Sequence, residues 1–455
     1  MNNNSTGQKM AGSASANQPI VRSLARRHGR ERRFRRAGLA AVCIGLGLVL
    51  VLFTNILYKG LPAFRQATLT LPVYFDPEVI NIDFHPEQGN DEADAAYEQR
   101  LLAWRTQLAM VDWWRLLDKP LMALLPDVTD KDVRAVRSLL SNGERFVLRK
   151  MVDEDPSLIG QTVSVRLLAD AQVDVWLKGN VDRSLPDSRL QLSRKVRDWV
   201  DKLYAQGDIR MAFSLALFVN PDSRSSPASA GLAGAIVGSL YMMLIVIVLA
   251  VPVGVASAVY LEEFARRSWI TDFIEVNINN LAAVPSIIFG LLGAAVFINW
   301  MHLPLSAPLV GGLVLSLMTL PTVIITTRSS LKAVSPSLRQ AALGLGASPV
   351  QTVFQHVLPQ ALPGILTGAI IGVAQAIGET APLLLIGMTA FVAAVPHTVV
   401  DQSTALPVQI YLWQGNELRG FFESRTSAAI IVLLALMLML NVFAIWLRRK
   451  FEVKT

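Results

Sequence analysis

The chain has 455 residues, of which 52% are hydrophobic and only 17% are charged. A soluble protein of this length carries about 25% charged residues, so the composition indicates a membrane protein. The net charge of +7 does not indicate nucleic-acid binding, because many basic residues cluster directly before an apolar segment, as in a topology signal. The single cysteine, Cys43, excludes an intramolecular disulfide and a thiolate metal site.

The N-terminal region is predicted to be a tail followed by one membrane span. Residues 1–36 are polar and then arginine-rich, which predicts a disordered, basic cytoplasmic tail. Residues 37–58 form an uncharged stretch of about 20 residues, long enough to cross a bilayer as a helix. No small-x-small cleavage site follows, so we interpret this segment as an uncleaved anchor.

Residues 59–230 have the composition of a soluble domain and contain most of the chain's 35 acidic residues. The apolar spacing in 130–152 predicts helix, whereas the alternation in 161–180 predicts a pair of strands. The segment is long enough to bury its own core. We expect a small α+β domain on the periplasmic side, and its topology stays open.

Five further apolar runs predict membrane spans, which gives six in all. Glycine and proline are frequent inside these runs, as expected where membrane helices pack closely or kink. The predicted spans are about 232–261, 281–301, 306–327, 361–387 and 427–447.

The short flanks predict the orientation of the spans. With both termini in the cytoplasm, basic residues fall on the cytoplasmic side at nearly every turn, the exceptions being Arg419 and Arg425 in an outer loop. The adjacent Glu262 and Glu263 are interpreted as part of a solvated cytoplasmic turn. The cytoplasmic basic residues are Arg266, Arg267, Arg328, Lys332, Arg339, Arg448, Arg449 and Lys450.

The cytoplasmic loop 332–360 is predicted to contain two short helices. The first covers Ser337–Leu345, and Gly346 supplies a turn with positive φ. The second covers Pro349–Val357 and begins after Ser348 as N-cap. Such a loop is either a docking element for a cytoplasmic partner or an ordinary amphipathic connector.

Ala341, Ala342 and Gly346, followed by Leu358 and Pro359, match the spacing of the EAA loop and resemble the ABC importer permeases. In that family the loop inserts into the ATP-hydrolysing subunit, and the two alanines would leave a smooth docking face. Two positions depart from the pattern: Gln340 replaces the leading Glu, and His356 replaces an aliphatic residue. The predicted coupling residues are Gln340, Ala341, Ala342, Gly346, His356, Leu358 and Pro359.

The segment Gly378–Leu384, with sequence GETAPLL, resembles the phosphate-importing, PstA-type branch of these permeases. The resemblance covers about residues 232–450. It implies an all-α polytopic membrane protein with the six helices of the type I importer permease fold, plus the inserted α+β domain. It also implies the bacterial inner membrane, a second homologous permease, a dimer of ATP-binding subunits and a periplasmic phosphate-binding protein.

Glu379 is a carboxylate inside a predicted span. A charge near the bilayer centre costs roughly 3 kcal/mol, so such groups face a bundle interior or water. Glu379 would either line the phosphate path or lock two helices together. Gln375, where many relatives have Arg, and Thr380 are candidate phosphate donors. Arg328 is either an anchor at the membrane interface or an anion contact at the mouth of the path.

Several motifs are absent from the sequence. There is no Gly-x4-Gly-Lys-Ser/Thr motif, so ATP and Mg²⁺ are expected in the partner ATPase and no cofactor in this chain. No residue spacing predicts a metal site, and the chain is not expected to be an enzyme. Besides its protein partners, it would contact membrane lipids and no nucleic acid. The alternatives are a permease for another oxyanion, molybdate or sulfate, or a transmembrane sensor.

Overall fold

The computed structural model describes residues 18–88, 92–125 and 128–451. It divides into two compact units, 1–58 and 59–455. The first unit is dominated by helix α1 (Gln18–Gly60), which is long and apolar enough to cross a membrane. The prediction of disorder is therefore wrong for residues 18–36, where arginine and alanine favour helix; residues 1–17 lie outside the described residues.

The second unit begins with an α+β domain, as predicted. Strand β1 (Arg65–Tyr74) pairs antiparallel with β2 (Thr162–Leu168) on one side and with β3 (Ile209–Phe213) on the other. Residues 66–69, 71 and 73 of β1 are buried, and the surrounding helices form one hydrophobic core with the sheet. These helices are α2 (Pro77–Ile80), α3 (Asp94–Met110), α4 (Trp114–Ala123), α5 (Val133–Arg137), α6 (Glu144–Glu154), α7 (Ala171–Leu177) and α8 (Arg194–Gln206). The next helix, α9 (Ala216–Val219), contributes Leu217 to a separate apolar cluster.

The prediction of two strands in residues 161–180 is half right. The first half is β2, but the second half is α7. Asp170 explains the change, because its side chain accepts a hydrogen bond from the backbone N–H of Gln172 at 2.8 Å and caps the helix. The helix prediction for 130–152 is confirmed over α5 and most of α6.

The remainder of the second unit is helical. Two short helices, α14 and α15, belong to the predicted cytoplasmic loop, and several elements end in a π-helical turn. The helices are α10 (Ala233–Val259), α11 (Trp269–Ala282), α12 (Ser286–Gly293), α13 (Pro308–Lys332), α14 (Pro336–Gly344), α15 (Pro349–Gln351), α16 (Leu358–Gly378), α17 (Ala381–Leu385), α18 (Leu406–Gln414) and α19 (Arg419–Phe451).

Among the described residues, five helices are long and apolar enough to span a membrane, or six if a bent pair is one span. That pair is α11 and α12, which meet at 101°. The predicted span 281–301 covers only the second half of this pair, because the chain bends before Pro285, where the residue preceding a proline is disfavoured in a helix. The run 361–387 is also divided, between α16 and α17.

Helices α10, α13 and α16 pack closely because glycines remove side-chain bulk at their contacts. A Cβ on Gly312 would lie 2.6 Å from Cβ of Ile245, and one on Gly254 would lie 2.8 Å from Cγ1 of Val323. Small residues let membrane helices approach in this way.

Candidate coupling loop and translocation path

The loop between α13 and α16 folds as two helices separated by a glycine turn, as predicted. Helix α14 is capped by Ser335, whose hydroxyl accepts from the N–H of Ser337 at 3.2 Å. Gly346 follows with φ of +92°, the left-handed conformation that glycine adopts without strain. Ser348 and Gln351 then form a capping box at the start of α15, which continues as a π-helical turn to Val357.

The inner face of this loop packs on the ends of the spans. Ala342, Val353 and Val357 are buried, and the last two share a hydrophobic cluster with residues from α10, α13 and α16, including Val259 and Leu331. The expectation that Ala342 belongs to a docking face is therefore wrong, since its methyl group points inward. The loop is anchored to three spans by apolar contacts.

The loop also exposes large apolar side chains. Leu345 is 90% exposed, and Leu343, Val350 and Phe354 are also exposed. Four large apolar side chains on a short polar loop form the kind of patch that proteins use for partners. We call Leu343, Leu345, Val350 and Phe354 the coupling patch.

The predicted coupling residues fall at different positions relative to this patch. Gln340, Ala341, Gly346 and His356 are exposed, so a partner can reach them. Leu358 and Pro359 are half-buried and begin α16, so they connect the loop to the span.

A cluster of charges lies where the loop meets the spans. Glu262 belongs to the π-helical turn that ends α10. It accepts a hydrogen bond from Nε of Arg328 at 3.2 Å and lies 3.6 Å from Nζ of Lys332. Arg328 also donates to Glu275 on α11. These ion pairs connect α10, α11 and α13 at one end of the bundle.

The adjacent Glu263 binds the loop itself. Nη2 of Arg339 donates to its Oε1 at 2.7 Å, and Nε donates to its Oε2 at 3.2 Å. The side chain of Glu263 is 9% exposed and that of Glu262 is 19% exposed. The interpretation of these two residues as a solvated turn is therefore wrong. Negative charge is disfavoured at a helix C-terminus. Two glutamates at the end of an apolar helix were therefore a sequence signal that cations lie nearby, although not of which cations.

The second predicted feature is the break at Glu379. Helix α16 ends at Gly378, Glu379 is extended with φ −75° and ψ 128°, and α17 begins at Ala381. The side chain of Glu379 is half-buried, and no described residue forms a hydrogen bond or ion pair with it. An unwound segment at membrane depth is tolerated where protein or a water-filled cavity satisfies its backbone.

Contacts with α12 hold the short helix α17 in place. A Cβ on Gly290 would lie 2.7 Å from Cα of Pro382, so the two backbones touch. The turn after α17 is fixed by Ser306, whose hydroxyl donates to the carbonyl of Gly387 at 2.6 Å. The broken span is therefore a fixed part of the bundle.

Of the four residues predicted to line the substrate path, Gln375, Glu379 and Thr380 lie close together in sequence, whereas Arg328 does not. Gln375 is exposed and Thr380 is half-buried, on either side of Glu379 in sequence. Arg328 lies near the opposite end of α16. Ser330, two residues after Arg328, packs on Gly364 in the first half of that helix. From Gly364 to the break is roughly 22 Å along α16 at 1.5 Å per residue. Its two carboxylate partners favour the anchoring role for Arg328, and a path role stays a prediction.

Around the break, the described residues enclose a small cavity, and they contain no cluster of metal-ligating side chains. The cavity inside the bundle, lined by Met242, Leu315 and Val373 among others, has a volume of only about 20 Å³. Within the described ranges, no group of three or more His, Cys, Asp or Glu side chains could hold a metal ion.

Two family models match the chain. Residues 21–187 match DUF3333, a domain of unknown function, and residues 250–454 match the binding-protein-dependent transport system inner membrane component. The phosphate transport system permease protein PstA of Mycobacterium leprae is 34% identical over 217 residues, which cover 47% of this chain and 69% of that protein. The chain belongs to the family of binding-protein-dependent ABC transporter permeases.

Other relatives of this permease match a similar share of its length. The PstA protein of Yersinia pestis is 36% identical over 177 residues, covering 39% of this chain and 59% of that protein. The probable ABC transporter permease protein YqgI of Bacillus subtilis is 29% identical over 244 residues, covering 50% of this chain and 82% of that protein. The permease is thus a multi-pass inner-membrane protein and a transporter subunit rather than an enzyme.

Proposed function

We propose that this permease is a membrane-spanning subunit of an ATP-driven importer of inorganic phosphate. The observation that carries the proposal is the two-helix loop with Gly346 at positive φ, anchored to three spans and exposing an apolar patch. Relatives named as phosphate transport permeases, together with the segment Gly378–Leu384, support phosphate as the substrate.

The coupling patch is the proposed contact with the ATPase. Both termini and the loop lie in the cytoplasm in this proposal, and the α+β domain lies in the periplasm. ATP and Mg²⁺ bind between two ATPase subunits, which hydrolyse the nucleotide. The exposed Leu345 and Phe354 would enter a groove of the nearer ATPase, since burying their apolar surface stabilises the complex.

The translocation path is proposed to run between this permease and a second, homologous one. Ile371 is 55% exposed on α16, Gln375 is exposed one turn later, and the break at Glu379 follows after another turn. This spacing places Ile371 and Gln375 on one side of α16, and Glu379 follows directly beyond the end of the helix. Gln375 and Thr380 would donate hydrogen bonds to phosphate oxygens, while the carboxylate of Glu379 would repel a bound anion and favour its release.

Transport would follow alternating access. When the ATPase dimer closes on ATP, the loop moves with it, and the spans to which it is anchored open the path toward the periplasm, where a binding protein delivers phosphate. Hydrolysis returns the spans to the inward-open state. The role of the α+β domain is left open by this scheme.

Uptake by the complete complex tests the proposal. Proteoliposomes that contain both permeases, the ATPase and internal ATP are supplied with binding protein and labelled phosphate. ATP-dependent accumulation is expected, and Glu379→Gln should change the uptake rate while the complex stays assembled. Equal competition by sulfate or molybdate would assign another oxyanion. Failure to co-purify with any ATPase would contradict the transporter assignment and leave a sensor role.

A further inference from the structure

The guanidinium of Arg339 lies at the junction of three elements. Besides its two bonds to Glu263 at the end of α10, Nη1 donates to the carbonyl of Val334 at 2.8 Å. Nη2 donates to the carbonyl of Leu331, also at 2.8 Å. One side chain on α14 therefore holds the ends of α10 and α13 at the same time.

The chemistry of this contact is specific to arginine. A guanidinium has five N–H donors in a fixed plane, and here four hydrogen bonds are made by Nε, Nη1 and Nη2. Two go to one carboxylate in the bidentate arrangement that carboxylate and guanidinium favour. The other two go to the carbonyl of Leu331 in the last turn of α13, which also accepts the N–H of Val334 at 3.2 Å, and to the carbonyl of Val334 just beyond that helix. A lysine has one charged nitrogen and cannot reproduce this planar fork.

The contact also differs from an ordinary surface ion pair. Exposed pairs are worth little because water competes for both charges, but the carboxylate of Glu263 is 9% exposed and the side chain of Arg339 is 24% exposed. Next to it, Arg328 ties Glu262 to α11. The two carboxylates at the end of α10 thus pair with one cation from the loop, Arg339, and with two from α13, Arg328 and Lys332.

We infer that Arg339 and Glu263 form a clasp through which movement of the coupling loop is passed to α10 and α13. The inference rests on the proposed function, since it assigns a positioning role within the proposed coupling. The apolar contacts of the loop can slide, because dispersion and hydrophobic contacts are not directional. The clasp cannot slide without leaving a desolvated charge unpaired. Arg339 therefore makes α14 and the two span ends move together.

The first test separates coupling from assembly. Arg339→Gln and Glu263→Gln are introduced singly into the complete transporter, with Arg267→Gln as the matched control. Arg267 is an exposed arginine near the same turn with no described ion-pair partner. Three quantities are measured: co-purification with the ATPase, ATP hydrolysis, and phosphate taken up per ATP hydrolysed. We expect both clasp variants to assemble and to hydrolyse ATP, with uptake per ATP reduced about tenfold, within the usual range of coupling between sites.

The second test exchanges the charges. Arg339→Glu combined with Glu263→Arg restores an ion pair between α14 and α10 but removes the guanidinium from the carbonyls of α13. Phosphate uptake per ATP in this double variant should be higher than in Arg339→Glu or Glu263→Arg alone. It should stay lower than in the wild type. Arg339→Lys, which keeps the charge without the fork, should be intermediate.

The outcomes distinguish this inference from the proposed function. Wild-type uptake per ATP in both clasp variants would overturn the clasp and leave the transporter assignment intact. The inference would also be overturned if both variants lost the ATPase and the charge exchange did not restore its binding. The pair would then be needed only for the folding of the loop. Absence of phosphate uptake in the wild type, with ATP hydrolysis present, would instead overturn phosphate as the substrate.

Discussion

Arg425 and Gln66, which are 359 residues apart in the chain, are joined by a hydrogen bond of 3.1 Å from Nη2 of the arginine to Oε1 of the glutamine. Gln66 is on β1 of the α+β domain, whereas Arg425 is on α19, the last apolar helix. The guanidinium also donates to the carbonyls of Ala228 and Ala230. Arg425 is 2% exposed, so this bond joins the domain to the membrane helices deep inside the protein.

The surroundings of Arg425 account for a buried cation. Asp174 and Asp222 provide nearby negative charge, and Phe421 lies under the guanidinium at 4.6 Å from the ring centroid. Arg425 was expected in an outer loop, but α19 begins six residues earlier, at Arg419. The α+β domain is therefore fixed to α19 rather than tethered to it.

We expect Arg425→Met to destabilise this joint by about 3 kcal/mol, because the buried carbonyl of Ala230 would lose its donor, while Oε1 of Gln66 and the carbonyl of Ala228 would each lose one of two hydrogen bonds. The thermal unfolding midpoint of the detergent-solubilised full chain should fall by about 3 °C. Arg419→Met is the matched control, since Arg419 is exposed on the same helix. Equal midpoints for the two variants would show that the buried arginine does not hold the domain in place.

The buried Glu144 predicts a pH dependence for the α+β domain. This residue is 2% exposed at the start of α6, and burial raises its pKa to about 7. A hydrogen bond from the backbone of Leu168 offsets part of that shift. Since the folded state keeps the proton to higher pH than the unfolded state, the contribution of Glu144 to stability is largest below pH 4.5. It should decrease by roughly 3 kcal/mol as pH rises through about 7.

Hydrogen exchange of the α6 amides, compared between variants at each pH, measures this effect. Glu144→Gln keeps the shape of the side chain but removes the titrating carboxyl. The α6 amides of this variant should be better protected from exchange than those of the wild type at pH 8, and the two proteins should be more alike at pH 5. Glu154→Gln, at the exposed end of the same helix, should change neither value. A wild-type domain equally protected at both pH values would contradict the raised pKa.

The coupling loop could be predicted from the sequence because its signals are local. Ser348 followed by Pro349 and Gln351 specifies a helix start through contacts within four residues, and Gly346 specifies the turn through its own backbone. The apolar runs likewise predicted the number of spans, because crossing a bilayer requires only length and composition.

Features that depend on distant partners could not be predicted in this way. The Glu263–Arg339 pair joins residues 76 positions apart, so no local pattern revealed it. The position of α17 against α12 depends on the close contact between Gly290 and Pro382. For α7, alternating apolar residues fit a strand, but packing in the fold and the cap at Asp170 favoured a helix.

Gly346→Val should weaken attachment of the ATPase without preventing insertion into the membrane. At φ of +92° a side chain is strained, most of all a β-branched one. The turn would open and displace α15 relative to α14, which separates the two halves of the coupling patch. Co-purification of the ATPase with the variant measures the effect.

Gly344→Val is the control for this change, because Gly344 is outside the positive-φ region and has open space around it. Gly346→Asn should retain more ATPase than Gly346→Val, since asparagine tolerates the left-handed region. Equal ATPase recovery in all three variants would remove the argument that the turn is needed for docking.

Gly368 allows α16 to approach α13 closely, and an added methyl group should force the two helices apart. A Cβ added at Gly368 would overlap Oγ1 of Thr326 and lie 2.5 Å from Cβ of Thr326. We expect Gly368→Ala to cost about 1–3 kcal/mol, as for overpacking in a well-packed core. Thermal unfolding of the full chain measures the loss, with Gly378→Ala as a control, since no atom lies within 4 Å there. Combining Gly368→Ala with Thr326→Gly removes the clash and should recover part of the stability. Without such recovery, the loss would have to arise from something other than this contact.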